Sequence, residues 1–218
     1  MSTESKSAKD SKETRIETNN LDFSKVVERI PLLIGLNGYK GVGKDAAADY
    51  LVREYGYRKV AFANKLKESV AALFDISLHE MDKLKNDPEC DVSLSPLVAM
   101  TFREFIQRYG TESHRDVFGE DFWVNQLLPK DYIEGKVFPT VVSDARFENE
   151  LQRIKDLGGI NIRIARPGYE GEAHASEQAP PDGLIYTLIQ NDGSFDLLCN
   201  RVDLALIQWA HIDDGIWD

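Results

Sequence analysis

Cysteine is nearly absent: Cys90 and Cys199 are the only two in 218 residues. Two thiols so far apart build no disulfide framework, and with no CxxC and no clustered His and Cys spacing no structural zinc site is readable. A reducing setting, the cytoplasm, is expected. Positive charge is also in deficit, with 26 Lys and Arg against 37 Asp and Glu, for a net charge of −11. A surface of that sign repels nucleic-acid backbones and anionic membranes, so the expected partner is small, with no nucleic acid and no membrane. No apolar run approaches the roughly 18 residues of a membrane span, and the N-terminus has no apolar centre of a secretory signal. Up to Asn20, Ile16 is the only large aliphatic residue after Met1. Residues 1–22 are therefore expected to be a disordered tail, ahead of one domain over 23–218. Internal repeats are lacking too.

What is present begins with Leu32-Leu33-Ile34-Gly35-Leu36-Asn37-Gly38-Tyr39-Lys40-Gly41-Val42-Gly43-Lys44-Asp45-Ala46, an apolar strand running into GxxxxGK. Glycines at 38, 41 and 43 allow successive backbone N–H groups to turn inward on phosphate oxygens, and Lys44 adds a mobile cation. Ala47, Leu51 and Tyr55 form a helical stripe behind the loop, so a helix N-terminus faces the same anion. Asp45 stands where the pattern asks for Ser or Thr. A carboxylate there is a hard oxygen ligand for magnesium, directly or through water, or else a first-turn cap of the helix.

Further along, short apolar strands alternate with helical stretches, which predicts an α/β fold: a parallel sheet covered on both faces. Strands are expected at 32–36, 57–61, 139–143, 160–164 and 184–189, giving a five-stranded parallel sheet. Helices are expected at 44–55, 65–74, 97–109, 122–128, 149–157 and 195–209. The interval between the second and third strands is too long for a simple crossover and predicts a helical insert over 63–137. In it, Phe102, Phe105, Ile106 and Tyr109 make one apolar helix face. Arg103 and Gln107 share another, which presents a guanidinium and an amide to a ligand or is an ordinary solvated face.

The third strand runs Val141-Val142-Ser143-Asp144, a carboxylate at the carboxyl end of a strand, with Arg146 two residues on. Ligands of doubly wound sheets lie beyond these strand ends. Asp144 is thus a candidate for magnesium or its waters, against the alternative of a plain turn, and Arg146 for a phosphate oxygen. Near the end, Ile189-Gln190-Asn191-Asp192-Gly193-Ser194 is an Asx and Gly turn with Ser194 as helix cap.

These residues carry a family resemblance that runs in order from about residue 32 to residue 200. The blocks are Gly43-Lys44-Asp45, Phe62-Ala63 with Leu66-Lys67, and Arg103 to Gln107 continuing to Gly110-Thr111-Glu112 and Arg115. They continue with Phe118 to Val124, Asp144 to Glu150, Gly158-Gly159, Arg163, Arg166-Pro167-Gly168 and His174 to Glu177. The chain resembles the bacteriophage deoxynucleoside monophosphate kinases, of the P-loop nucleoside monophosphate kinase group. Asp after the loop lysine is frequent in that family. Ala46 departs from it, since Thr is usual there.

The resemblance implies a P-loop kinase three-layer sandwich with a helical acceptor-binding insert and a short lid at 166–182. It implies transfer of the γ-phosphoryl of ATP, with Mg2+, to a deoxynucleoside monophosphate. Lys44, Asp144, Arg146 and Arg166 are then the expected catalytic residues, and Asp45 and Asp144 the magnesium ligands. ATP would lie on Gly38, Lys40 to Ala46, Asn191 and Gly193. The acceptor would lie on Lys67, Arg103, Gln107, Thr111, Arg115, Arg146 and Trp123, although a core position is the commoner fate of such an aromatic. His174 is a weak lid candidate. If phage-encoded, the enzyme would work in the host cytoplasm, and a homodimer stays open. A GTPase is disfavoured, since no late NKxD follows the loop. The alternatives are another small-molecule P-loop kinase, such as a dephospho-coenzyme A kinase, and a non-catalytic ATP-binding module.

Overall fold

The computed structural model describes residues 29–95, 98–128, 138–169, 181 and 183–212. Strand β1, Leu33–Asn37, is buried along its whole length. Its residues alternate between two cores: Ile34 and Leu36 face one with no exposure, and Leu33 faces the other. Burying an aliphatic side chain of this size contributes about 2 kcal/mol, so the register of β1 is held from both faces. β1 leads into helix α1, Lys44–Tyr55, and strand β2, Arg58–Val60. α1 stops at Gly56, whose left-handed backbone turns its N–H back onto Leu51 and Val52.

An insert follows: helix α2 (Phe62–Phe74), helix α3 (Leu78–Asn86), a hairpin of β3 (Asp91–Ser95) and β4 (Val98–Thr101), and helix α4 (Phe102–Gly110). A π-helical turn, Thr111–Arg115, and short helices α5 (Asp116–Phe118) and α6 (Phe122–Leu127) complete it. The chain returns through strand β5 (Thr140–Val142), helix α7 (Glu148–Asp156), strands β6 (Ile160–Ala165) and β7 (Thr187–Gln190), and helix α8 (Phe195–Ile212).

The main sheet has five strands in the order β2-β5-β1-β6-β7, all parallel. β1 sits at the centre, pairing Leu33 with Thr140 of β5 and Ile34 with Ile160 of β6. The chain leaves β1 for one edge and later crosses to the other, so the connections diverge at the carboxyl end of β1. That divergence is the crevice where ligands of such sheets bind. Helices α1 and α8 share the core on one face of the sheet, and α6 and α7 the core on the other. A third core, built on Val70, Met81, Phe102, Phe105 and Ile106, belongs to the insert.

The sandwich and the expected strands are therefore found, with three corrections. Residues 97–109 are not one helix: Val98–Thr101 pairs with Asp91–Ser95, and α4 starts at Phe102 because the Thr101 side chain accepts from Glu104 N. Helix α3 was not expected, although Ser77 and Glu80 form a reciprocal capping box at its start. α2 begins three residues early for a tertiary reason, the Asp144 carboxylate described next. The tail at 1–22 and residues 129–137 of the insert lie outside the described residues.

Candidate active site

The carboxyl ends of β1, β5, β6 and β7 deliver most of the expected residues to one edge of the sheet. After β1 the chain curls through Gly38, Gly41 and Gly43, each at positive φ. At Gly43, φ is 105°, and a Cβ would stand 2.5 Å from Asn191 Nδ2, so neither the backbone nor the space admits a side chain. Asn191, just past β7, donates that Nδ2 to Val42 O at 2.8 Å. The turn expected near the donor thus touches the glycine loop, with Gly193 exposed beyond it. Asp192 pairs with Arg201 of α8 at 2.7 Å. Val42 anchors the loop in the core, and Lys40 is exposed.

Lys44 is buried, and its Nζ donates to Gly38 O at 2.6 Å and Tyr39 O at 2.7 Å. It is held across the mouth of the loop. Asp45 points elsewhere: its carboxylate pairs with Lys59 of β2 at 2.8 Å, and Asp49 joins the same ammonium at 2.9 Å. Ala46, in the first turn of α1, is half-buried against the core.

Past β5, the Asp144 carboxylate accepts from Phe62 N at 2.7 Å and Ala63 N at 3.0 Å. It caps α2, whose own preceding residue, Ala61, offers no side-chain acceptor. Burial raises the Asp144 carboxyl above its usual range, while these two N–H groups, Arg146 and Lys44 pull it back down. Lys44, Asp144 and Arg146 therefore share one electrostatic neighbourhood. Asn37 ties the two loops together, donating Nδ2 to Ala145 O at 2.9 Å.

Glu150, unremarked in the sequence, holds this second loop. Its Oε2 accepts from Arg146 N at 2.8 Å and Phe147 N at 3.1 Å, and Oε1 meets Arg115 at 3.4 Å. Arg115 also lies 4.2 Å over the Phe147 ring. Burial pushes the Glu150 carboxyl up to about 7, opposed by the Arg146 N–H. The sequence signal was the acid four residues after Arg146, at the start of a helix.

Across from this loop the insert contributes cations. Lys67 of α2 pairs with Asp82 of α3 at 3.0 Å, and Arg103 of α4 donates to Asn86 at 3.1 Å. Half-buried Lys85 lies on α3 between these two contact points, Asp82 and Asn86. Its ammonium is pushed below the usual lysine range by burial, then by Lys67 and Arg103, and by Arg146, with Asp82 opposing. Lys67 and Arg103 thus gather with Lys85 around α3, and the charge of Arg146 acts on Lys85 as it does on Asp144. Gln107 and Thr111 are exposed on the same insert.

Two expected residues lie differently. Trp123 lies in the core: it is 5% exposed and its Nε1 donates to Gly110 O at 3.0 Å, fastening α6 to the end of α4. Arg166 is exposed past β6, with its guanidinium 5.0 Å from the Tyr169 ring centre. That ring covers Gly41, where a Cβ would lie 2.7 Å from it. Residues 170–180 and 182 of the expected lid, including His174, lie outside the described residues.

Chemically, this edge offers inward-turned amides and a buried lysine on one side, a cationic cluster on the other, and a carboxylate and an arginine at the junction. Such a set suits two phosphate-bearing molecules brought end to end. No helix of the described residues is long and apolar enough to cross a membrane.

Comparison with known proteins agrees with this chemistry. The deoxynucleotide monophosphate kinase family matches residues 89–202. A protein of Acanthamoeba polyphaga mimivirus, provisionally named deoxynucleotide monophosphate kinase, is 33% identical over 67% of this chain and 80% of its own. The deoxynucleotide monophosphate kinase of Enterobacteria phage T4 is 22% identical over 80% of this chain and 98% of its own. That of Escherichia phage RB69 is 28% identical over 49% of this chain and 45% of its own.

Proposed function

The chain belongs to the deoxynucleotide monophosphate kinase family, and from that premise we propose that it moves the γ-phosphoryl group of ATP onto a deoxynucleoside monophosphate, between the glycine loop and the cationic cluster. It is a kinase that phosphorylates deoxynucleoside monophosphates. The donor, the metal and the residue roles are our reading. The observation that carries it is the junction past β5: Asp144 accepts from Phe62 N and Ala63 N at the start of the insert, while Asn37, at the end of β1 beside the glycine loop, donates to Ala145 O, and Arg146 follows on the same loop.

In this reading the amides of residues 38–44 and Lys44 hold the triphosphate, and the Asn191 turn, docked on Val42, borders the donor base. Lys67 and Arg103 draw in the acceptor, with Gln107 and Thr111 near its base. An oxygen of the acceptor phosphate forms the new bond to the γ-phosphorus as the bond to the bridging oxygen of ADP breaks. The transition state is loose, so the protein contributes alignment and cations in place of covalent help. Arg146 neutralises the group in flight, and Glu150 fixes the backbone that carries Arg146. Arg115 and Arg166 flank this path.

A magnesium ion fits these residues as a passenger on ATP. No three acidic or imidazole groups converge among the described residues, and this ion keeps water and phosphate oxygens in its shell. Asp144, beside Lys44, would hold it through water, and Asp45 only on leaving Lys59. When bound, it neutralises charge on the donor phosphates.

ADP release measured with ATP, magnesium and a panel of deoxynucleoside and ribonucleoside monophosphates tests the reading. Turnover with at least one deoxynucleoside monophosphate is expected. Turnover with dephospho-coenzyme A and with none of the monophosphates would overturn it.

A further inference from the structure

Nothing in the spacing of α3 marks Lys85, yet its surroundings are hard to explain by folding alone. An amphipathic lysine ordinarily carries its ammonium out to water. Lys85 is instead half-buried, and two cations from other elements reach α3 on either side of it, Lys67 of α2 at Asp82 three residues before and Arg103 of α4 at Asn86 one residue after, with the charge of Arg146 past β5 felt there too. The acid that opposes them, Asp82 of its own helix, is already paired with Lys67 at 3.0 Å. Arg103 is fixed from the adjacent residue, accepting no relief of its charge from neutral Asn86. Gathering like charges around a partly desolvated ammonium costs stability unless an anion completes the set.

We propose that Lys85 binds the phosphate of the acceptor nucleotide directly, as the central cation of the group formed with Lys67, Arg103 and Arg146. This rests on the proposed acceptor site and adds its central contact. A phosphate monoester, with close to two negative charges at neutral pH and three acceptor oxygens, is the anion that matches several converging donors. A nucleoside without phosphate gains nothing from it. Lys85 thereby favours molecules that still carry a monophosphate, and aligns that phosphate with Arg146.

The test compares wild type, Lys85→Gln, Lys85→Arg and Lys83→Gln, which removes the same charge from an exposed position of α3. Steady-state kinetics and equilibrium titration with a deoxynucleoside monophosphate and its parent deoxynucleoside are read for each. Lys85→Gln is expected to raise KM for the monophosphate about 10- to 100-fold, the range of a charge-assisted hydrogen bond. KM for ATP and affinity for the deoxynucleoside should stay as in wild type, as should every constant of Lys83→Gln. Lys85→Arg should restore most of the affinity. It should also move the alkaline rise of KM to higher pH, since wild-type Lys85 loses its proton below the usual lysine range and arginine does not. A merely structural lysine would change none of these selectively. Unchanged monophosphate affinity in Lys85→Gln, or equal losses with Lys83→Gln, overturns the proposal. A wild type that binds the monophosphate without phosphorylating it fails the wider reading and leaves this comparison decisive. A wild type that does not bind it overturns both.

Discussion

Replacing Glu150 by Gln should change how the stability of this protein depends on pH, by an amount that follows from the structure. Glu150 is 2% exposed, and its carboxyl is pushed up to about 7 from an ordinary value of 4.5, chiefly by burial. The unfolded chain gives up this proton near 4.5 and the folded chain near 7. Between those values the folded chain holds a proton that the unfolded chain has lost. Its stabilising contribution is thus complete below pH 4.5 and gone above about pH 7. The interval corresponds to about 3 kcal/mol, at roughly 1.4 kcal/mol for each tenfold change in proton affinity. Glutamine stays neutral throughout, and its carbonyl oxygen still accepts from the Arg146 and Phe147 N–H groups. Urea unfolding of both proteins at steps from pH 4.5 to about 7.5 reads the effect, because groups that do not feel Glu150 cancel in the difference. The variant should gain about 3 kcal/mol on wild type across that window. A difference that stays flat refutes the assignment of a buried, neutral-titrating carboxyl beneath the Arg146 loop.

Lys44→Ala removes the cation held at Gly38 O and Tyr39 O, and kcat should fall by about a hundredfold or more; a kcat near wild type in a folded variant contradicts the role of Lys44. Gly43→Ala meets both a φ of 105° and the Asn191 amide. It should raise KM for ATP, and adding Asn191→Ala should relieve the collision while leaving the backbone penalty of about 1–2 kcal/mol; thermal unfolding and ATP kinetics of the single and double variants check this. Trp123→Phe should lower stability by about 1 kcal/mol through the lost bond to Gly110 O, with no change in KM for the acceptor. A selective rise in that KM would return Trp123 to the site.

The parallel sheet and the glycine loop were legible because they are written locally. Apolar runs end in glycines, and α1 occupies the expected span, Lys44–Tyr55, bounded by Gly43 and Gly56. Other features depend on contacts that no spacing reveals. The extra turn at the start of α2 is capped by Asp144 from 82 residues away. The hairpin of β3 and β4 exists through pairing, so Val98–Thr101 reads alone as the beginning of the helix that follows it. Helix α3 is announced locally by the reciprocal caps of Ser77 and Glu80, with a weaker apolar stripe than that of α4. In the site, Asp144 and Arg146 were found by their place at a strand end. Lys85 could not be found that way, because its meaning comes from three cations on other elements. Lys59 likewise redirects Asp45 through a contact made only in the folded chain.

Direct tracing of the transferred phosphoryl group tests the central claim. With ATP labelled at the γ-phosphorus, magnesium and a deoxynucleoside monophosphate, the label should appear at the terminal phosphorus of the deoxynucleoside diphosphate, in step with ADP. Label released as inorganic phosphate, or retained in ATP while the acceptor is bound, would contradict the account.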